Sequence, residues 1–199
     1  GTRHLVRLIL RRDRVRLPLW LVGLGGTIAA SATAVPSVYD TPEKVAGYAA
    51  AVGTSPVSYL MSGRQAGIDT IGGIVANEVS QVAQLGICLM VVFLVVRHTR
   101  SEEETGRAEL LRSTVLGRHA ATLSGLLYGM TAALLVGMVT TASMLAVGLD
   151  ALGSTTYGIG LTLLGLCYAG VALVAAQLST SARGALGLAG ATVAVGYLV

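Results

Sequence analysis

The sequence predicts an all-α protein that crosses a membrane several times. Three observations carry this: 53% of its 199 residues are hydrophobic, only 12% are charged, and the mean hydropathy is +0.72. An ordinary soluble domain carries about 25% charged residues, so this chain cannot clothe a water-facing surface of the usual kind. Its apolar mass is Ala, Val, Leu and 26 glycines, with 5% aromatics, which suits helices packed closely in lipid. The composition excludes a soluble enzyme, a nucleic-acid-binding domain and a disulfide-stapled secreted module. Cys88 and Cys167 fall in apolar stretches and read as small packing residues.

Taken in order, residues 1–16 read as a basic interfacial helix. Arg3, Arg7, Arg11 and Arg14 share one face, with Leu5, Leu8, Ile9 and Val15 broadly opposite. Arg12 and Arg16 interrupt the apolar side and are placed to snorkel; Pro18 then permits a bend. Such a segment is either a functional elbow or a charged flank that sets topology. Residues 17–199 form the transmembrane domain. About 20 helical residues cross a ~30 Å hydrocarbon core. Apolar stretches at about 17–35, 79–96, 120–147 and 157–178 meet that length; a fifth, 184–199, stops a little short, as expected of a chain cut inside its fifth helix. The first stretch lacks a small-residue cleavage pattern and is kept as a helix.

Segment 36–76 is punctuated by Pro36, Pro42 and Pro56, then by Gly63, Gly67, Gly72 and Gly73. A short helix is expected over 43–52. Segment 97–119 opens with Ser101 three residues before Glu104, a capping-box pattern, and Glu102, Glu103 and Glu104 suit a helix N-terminus. Glu103 with Arg107 and Glu109 with Arg112 stand at helical pairing distances. Leu110, Leu111, Thr114 and Val115 make an apolar patch, and Gly117 suits a helix end. This is an amphipathic helix that either docks a partner or lies as a solvated connector under the bundle.

The arginines set an orientation. Residues 3–16 carry six, segment 97–119 carries five, and Arg183 lies between the fourth and fifth stretches. These segments share one side if every span crosses, and the other side holds only Lys44 and Arg64. Twelve bases against two predict a cytoplasmic N-terminus, with 36–76 external.

Within the spans, Asn77, Gln81, Gln84 and Cys88 recur at helical spacing as one polar stripe. Polar groups in a bilayer face protein or a water-filled cavity. The stripe therefore either lines a substrate path or makes interhelical hydrogen bonds of ~0.6 kcal/mol each. The spans hold no Asp, Lys or Arg between their ends, which argues against a proton relay. With no G-x-x-x-x-G-K-[ST] motif, nucleotide hydrolysis is expected on another chain. Gly26/Ala30/Ala34, Gly125/Gly129 and Gly165/Ala169 are spaced for close helix approach.

The run Glu103-Glu104-Thr105-Gly106-Arg107-Ala108-Glu109-Leu110-Leu111, followed by Val115 and Arg118, resembles the EE-x-GR-x-ELL…V…R stretch of ABC-2-type permeases. The nearest likeness is to bacterial exporters of polyketide antibiotics, the tetronasin-type permeases. The basic elbow and the external segment with Tyr39, Tyr48, Gly63 and the TIGG run at 70–73 are similar too. The resemblance implies an ABCG-like (type V) ABC exporter transmembrane fold, with at least five spans present of a six-helix half. It implies a permease subunit of an ATP-driven exporter that moves amphipathic small molecules, antibiotics or drugs, out of a bacterial cell through the plasma membrane. ATP and Mg would sit on a separate ABC ATPase subunit, with no cofactor, metal or catalytic residue on this chain. Further implied partners are a second permease half, membrane lipid and a hydrophobic small-molecule substrate, and no nucleic acid. On this reading Glu103, Glu104, Gly106, Arg107, Glu109, Leu110, Leu111 and Arg118 form the coupling helix under the ATPase, and Asn77, Gln81 and Gln84 face the substrate path.

Two alternatives stand beside it. An intramembrane protease of the CAAX-processing type has an EE-x-x-x-R motif that Glu102, Glu103 and Arg107 match. That chemistry needs histidines on neighbouring spans, whereas His4, His98 and His119 lie at helix ends or in charged flanks. The other alternative is a membrane subunit without transport.

Overall fold

The computed structural model describes residues 2–63, 66–104 and 120–198. Along the chain these form α1 (Thr2–Arg12), α2 (Arg16–Val38), α3 (Pro42–Gly53), α4 (Pro56–Ser62), α5 (Ile71–His98), α6 (Arg100–Glu104), α7 (Ala120–Ala146), α8 (Ala151–Leu178) and α9 (Ala182–Leu198). There is no strand among the described residues, and the protein is an all-α polytopic membrane protein. Among the described residues four helices are long and apolar enough to cross a bilayer: α2, α5 with its extension to Glu104, α7 and α8. The expected fifth span forms α9, a helix of 17 residues, roughly 25 Å long.

Local chemistry explains where the helices start. Thr41 and Ser55 cap α3 and α4, each followed by a proline, whose missing N–H costs nothing in a first turn. Thr70 Oγ1 accepts from Gly73 N at 3.1 Å to start α5. Asp150 Oδ2 accepts from Gly153 N at 2.7 Å to start α8. The helix expected over 43–52 is α3. Two expectations fail for identifiable reasons. The chain bends at residues 13–15, before Pro18, because Pro18 falls in the first turn of α2, where it fits a straight helix. Pro36 likewise lies inside α2 rather than ending it.

Helix α5 is the central post. It packs against α2, α7, α8 and α9, and Ile74, Val75, Val79, Ile87, Met90, Val91 and Val95 along it are almost wholly buried. Leu19, Val22, Leu134, Met138, Leu163 and Val174 point outward and are more than half exposed, the surface that a bilayer solvates. Helices α7 and α8 meet most closely where Gly137 faces Gly158. A Cβ built on Gly137 would stand 2.6 Å from Gly158 O, and one on Gly158 would stand 2.7 Å from Gly137 O. Gly129 and Gly165 pack as their spacing predicts, against Val95 and Ala133. Gly26, Ala30 and Ala34 do not: this face of α2 is exposed.

Helix α1 lies against α7. The structure buries Ile9, Asp13 and Leu17 at four-residue spacing and leaves Leu8 and Val15 exposed, so the buried stripe differs from the apolar face read from the sequence. A carboxylate stands in its middle.

Candidate functional site

The arginine-rich end of the bundle holds a set of charged side chains that tie separate segments together. Asp13 is 1% exposed. Its Oδ2 lies 2.6 Å from His98 Nε2 at the end of α5, and since a carboxylate only accepts, that nitrogen carries the proton. The Asp13 Oδ1 atom lies 3.7 Å from Arg97 Nε. The ring of Tyr128 on α7 stands edge-on to His98, with centroids 5.1 Å apart. A charge this deep persists only when partnered, and here the partners come from α5 and α7 while the carboxylate comes from the turn after α1.

Next to this pair, Arg12 Nη1 donates to Glu102 Oε1 at 2.6 Å, linking α1 to α6. Arg100 Nη1 donates to Glu103 Oε2 at 2.7 Å, and its Nη2 donates to Thr180 O at 2.6 Å. The Ala182 amide, at the first residue of α9, donates to Glu104 Oε1 at 2.8 Å. A carboxylate there complements the positive end of the α9 dipole. The short helix α6 is thus held to α1 on one side and to the turn before α9 on the other. From it the chain continues into 105–119.

Of the residues expected in a coupling helix, the structure brings Glu103 and Glu104 into this assembly; Gly106, Arg107, Glu109, Leu110, Leu111 and Arg118 lie outside the described residues. Sequence reasoning missed Asp13, Arg12, Glu102 and His98 as partners. The available signal was that Asp13 is the sole acid in the basic segment 3–16. The glutamates that a protease would use, Glu102 and Glu103, bind arginines, and His98 binds Asp13. Among the described residues no group of three metal-ligating side chains comes together.

The polar stripe on α5 is divided. Asn77 is half-buried and donates through Nδ2 to Tyr48 OH at 2.7 Å; Tyr48 in turn donates to Glu78 Oε1 at 2.6 Å. This relay fastens α3 to the first third of α5. Burial, and then the Glu78 acceptor, push the Tyr48 phenol up to about 12, so it remains a donor at any physiological pH. Gln81 is half-buried, Gln84 is exposed, and Cys88, one turn further, is buried.

No family model matches the chain. It spans about a third of the length of the curated relative it matches, and over most of its own length it is similar to the multidrug efflux system permease protein Rv1217c of Mycobacterium tuberculosis (strain ATCC 25618 / H37Rv): 40% identical over 184 residues, which is 92% of this chain and 33% of that protein.

Proposed function

We propose that the chain is part of the transmembrane permease of an ATP-driven ABC exporter in a bacterial plasma membrane, with its N-terminus in the cytoplasm. The cargo would be amphipathic small molecules, polyketide antibiotics and drugs among them. The likeness to a multidrug efflux permease supports export, and twelve basic residues against two support the orientation. The observation that carries the reading is the double attachment of α6: Arg12–Glu102 on one side, Arg100–Thr180 and Glu104–Ala182 on the other. A segment pinned from both sides passes a push from below to α1, α5 and α9 together. Residues 103–118 are then the surface under a separate ATPase that carries ATP and Mg, and the rest of the permease supplies a second half and the remaining spans of an ABCG-like half. Gln81 and Gln84 are the residues of the α5 stripe proposed to meet substrate, with Asn77 holding the outer rim in place.

The test is Glu104→Ala combined with Arg107→Ala in the full transporter. Substrate-stimulated ATP hydrolysis and efflux are expected to fall to background while the permease still inserts and copurifies with its ATPase. Unchanged efflux at equal expression would overturn the coupling assignment.

A further inference from the structure

At the end of the bundle opposite the arginines, a cavity of about 590 Å³ opens between the turn at 66–73 and the start of α8. That is the size of pockets that hold drug-sized ligands. Ala76, Met144, Leu149 and Leu152 supply apolar walls; Thr70, Tyr157 and Asp150 supply polar groups. The rim is preformed. Gly67 sits at φ +71°, and its carbonyl accepts from Thr70 N at 2.9 Å and Thr70 Oγ1 at 2.7 Å. A Cβ on Gly73 would collide with Gly67 O, so turn and helix meet backbone to backbone and the wall is fixed. Across the cavity, Tyr157 OH lies 3.3 Å from Ser80 Oγ.

Asp150 is the one charged residue among those lining the cavity. It is exposed, and only Oδ2 is committed to the Gly153 amide. An apolar chamber with a single carboxylate at its edge suits an apolar body with an ammonium head.

We propose that this cavity binds amphipathic amines, with the apolar body between Met144, Leu149 and Leu152 and the ammonium group at Asp150. This names a ligand class for the export reading and rests on that reading only for the side of the membrane it faces. Binding itself needs neither ATPase nor transport.

The test uses the full-length chain in phosphatidylcholine nanodiscs, titrated with a dansyl-labelled alkyl amine and with the same molecule N-acetylated. The wild type is expected to favour the amine about threefold, the scale of an exposed charge pair. Asp150→Asn should erase that preference and leave the acetylated probe unchanged, because asparagine caps a helix as well as aspartate does. Gly72→Leu and Gly153→Leu fill the cavity without a packing clash: a Cβ on Gly72 meets nothing within 4 Å, and one on Gly153 meets only Asp150 Oδ2 at 3.5 Å. Both should lose both probes at an unchanged melting temperature. Equal wild-type affinity for the two probes overturns the amine, and full binding by both filled variants overturns the cavity. Either result leaves ATPase coupling untouched, and a failure of coupling leaves this binding untouched. Competition by added phosphatidylethanolamine would identify the amine as a lipid headgroup; its failure to compete would identify a free solute.

Discussion

At the arginine-rich end, short segments are held by contacts that leap along the chain: Glu104 reaches Ala182 across 78 residues, Asp13 reaches His98 across 85, and Arg12 reaches Glu102 across 90. At the opposite end, α3, α4, α5 and α8 each begin on a side chain that accepts from an amide three residues on. The first kind of fastening is charged, non-local and partly buried. Desolvating its members costs free energy that only a complete set of partners offsets. The second kind is local, and each cap can be lost without stranding a partner elsewhere. Loss of a charged tie at the first end therefore spreads between segments, whereas loss of a cap at the other stays within its own helix.

The sharpest way to break this contrast is Asp13→Ala, which leaves His98 and Arg97 facing an emptied, buried site. Leaving the buried His98 N–H without an acceptor costs about 1–3 kcal/mol, and the emptied site and lost Arg97 contact add to it, so the melting temperature in detergent should fall. Asp13→Asn should recover part of the loss, since an amide oxygen still accepts from His98 Nε2. A small response to alanine would mean that the charged ties add nothing to caps and packing. A neutral control lies between the two ends. Gly137→Ala drives a methyl against the Gly158 carbonyl and should cost about 1–3 kcal/mol, read in the same melting assay and insensitive to salt. The smallest expected effect is at a cap: Thr70→Ala should cost about 1 kcal/mol, with Thr70→Ser restoring it. A cap loss as large as that of Asp13→Ala would erase the distinction.

The same contrast decides what could be read without a structure. Helix α3 was legible because Thr41, Pro42 and Glu43 start a helix by themselves, and the long apolar stretches were legible because hydropathy is a local sum. Boundaries were less so. Helix α5 begins at Ile71, ahead of the apolar stretch at 79–96, because Gly72, Gly73, Asn77 and Glu78 lower the hydropathy of what is still helix. Helix α8 begins at Ala151, where Gly153, Ser154, Thr155 and Thr156 look like loop but follow a good cap in Asp150. The bend at 13–15 was assigned to Pro18 because proline is the visible breaker, whereas a buried carboxylate turned toward α5 occupies the actual bend. Nothing near Asp13 in the sequence names His98 as its partner. Pairings across some ninety residues are properties of the packed bundle, as is the relay from Asn77 through Tyr48 to Glu78. Of the candidate coupling residues, motif spacing singled out Glu103 and Glu104, but not that Glu104 would cap a helix 78 residues away.

The burial of Asp13 also constrains how the protein is made. A ribosome adds about 5–20 residues per second, so the 85 residues between Asp13 and His98 take on the order of ten seconds to synthesise. Throughout that interval the Asp13 carboxylate has no imidazole to receive it. Tyr128, which completes the enclosure, arrives later still. Helix α1 can therefore reach its buried position only after α5 and α7 are in place. Its docking thus follows the synthesis of both α5 and α7.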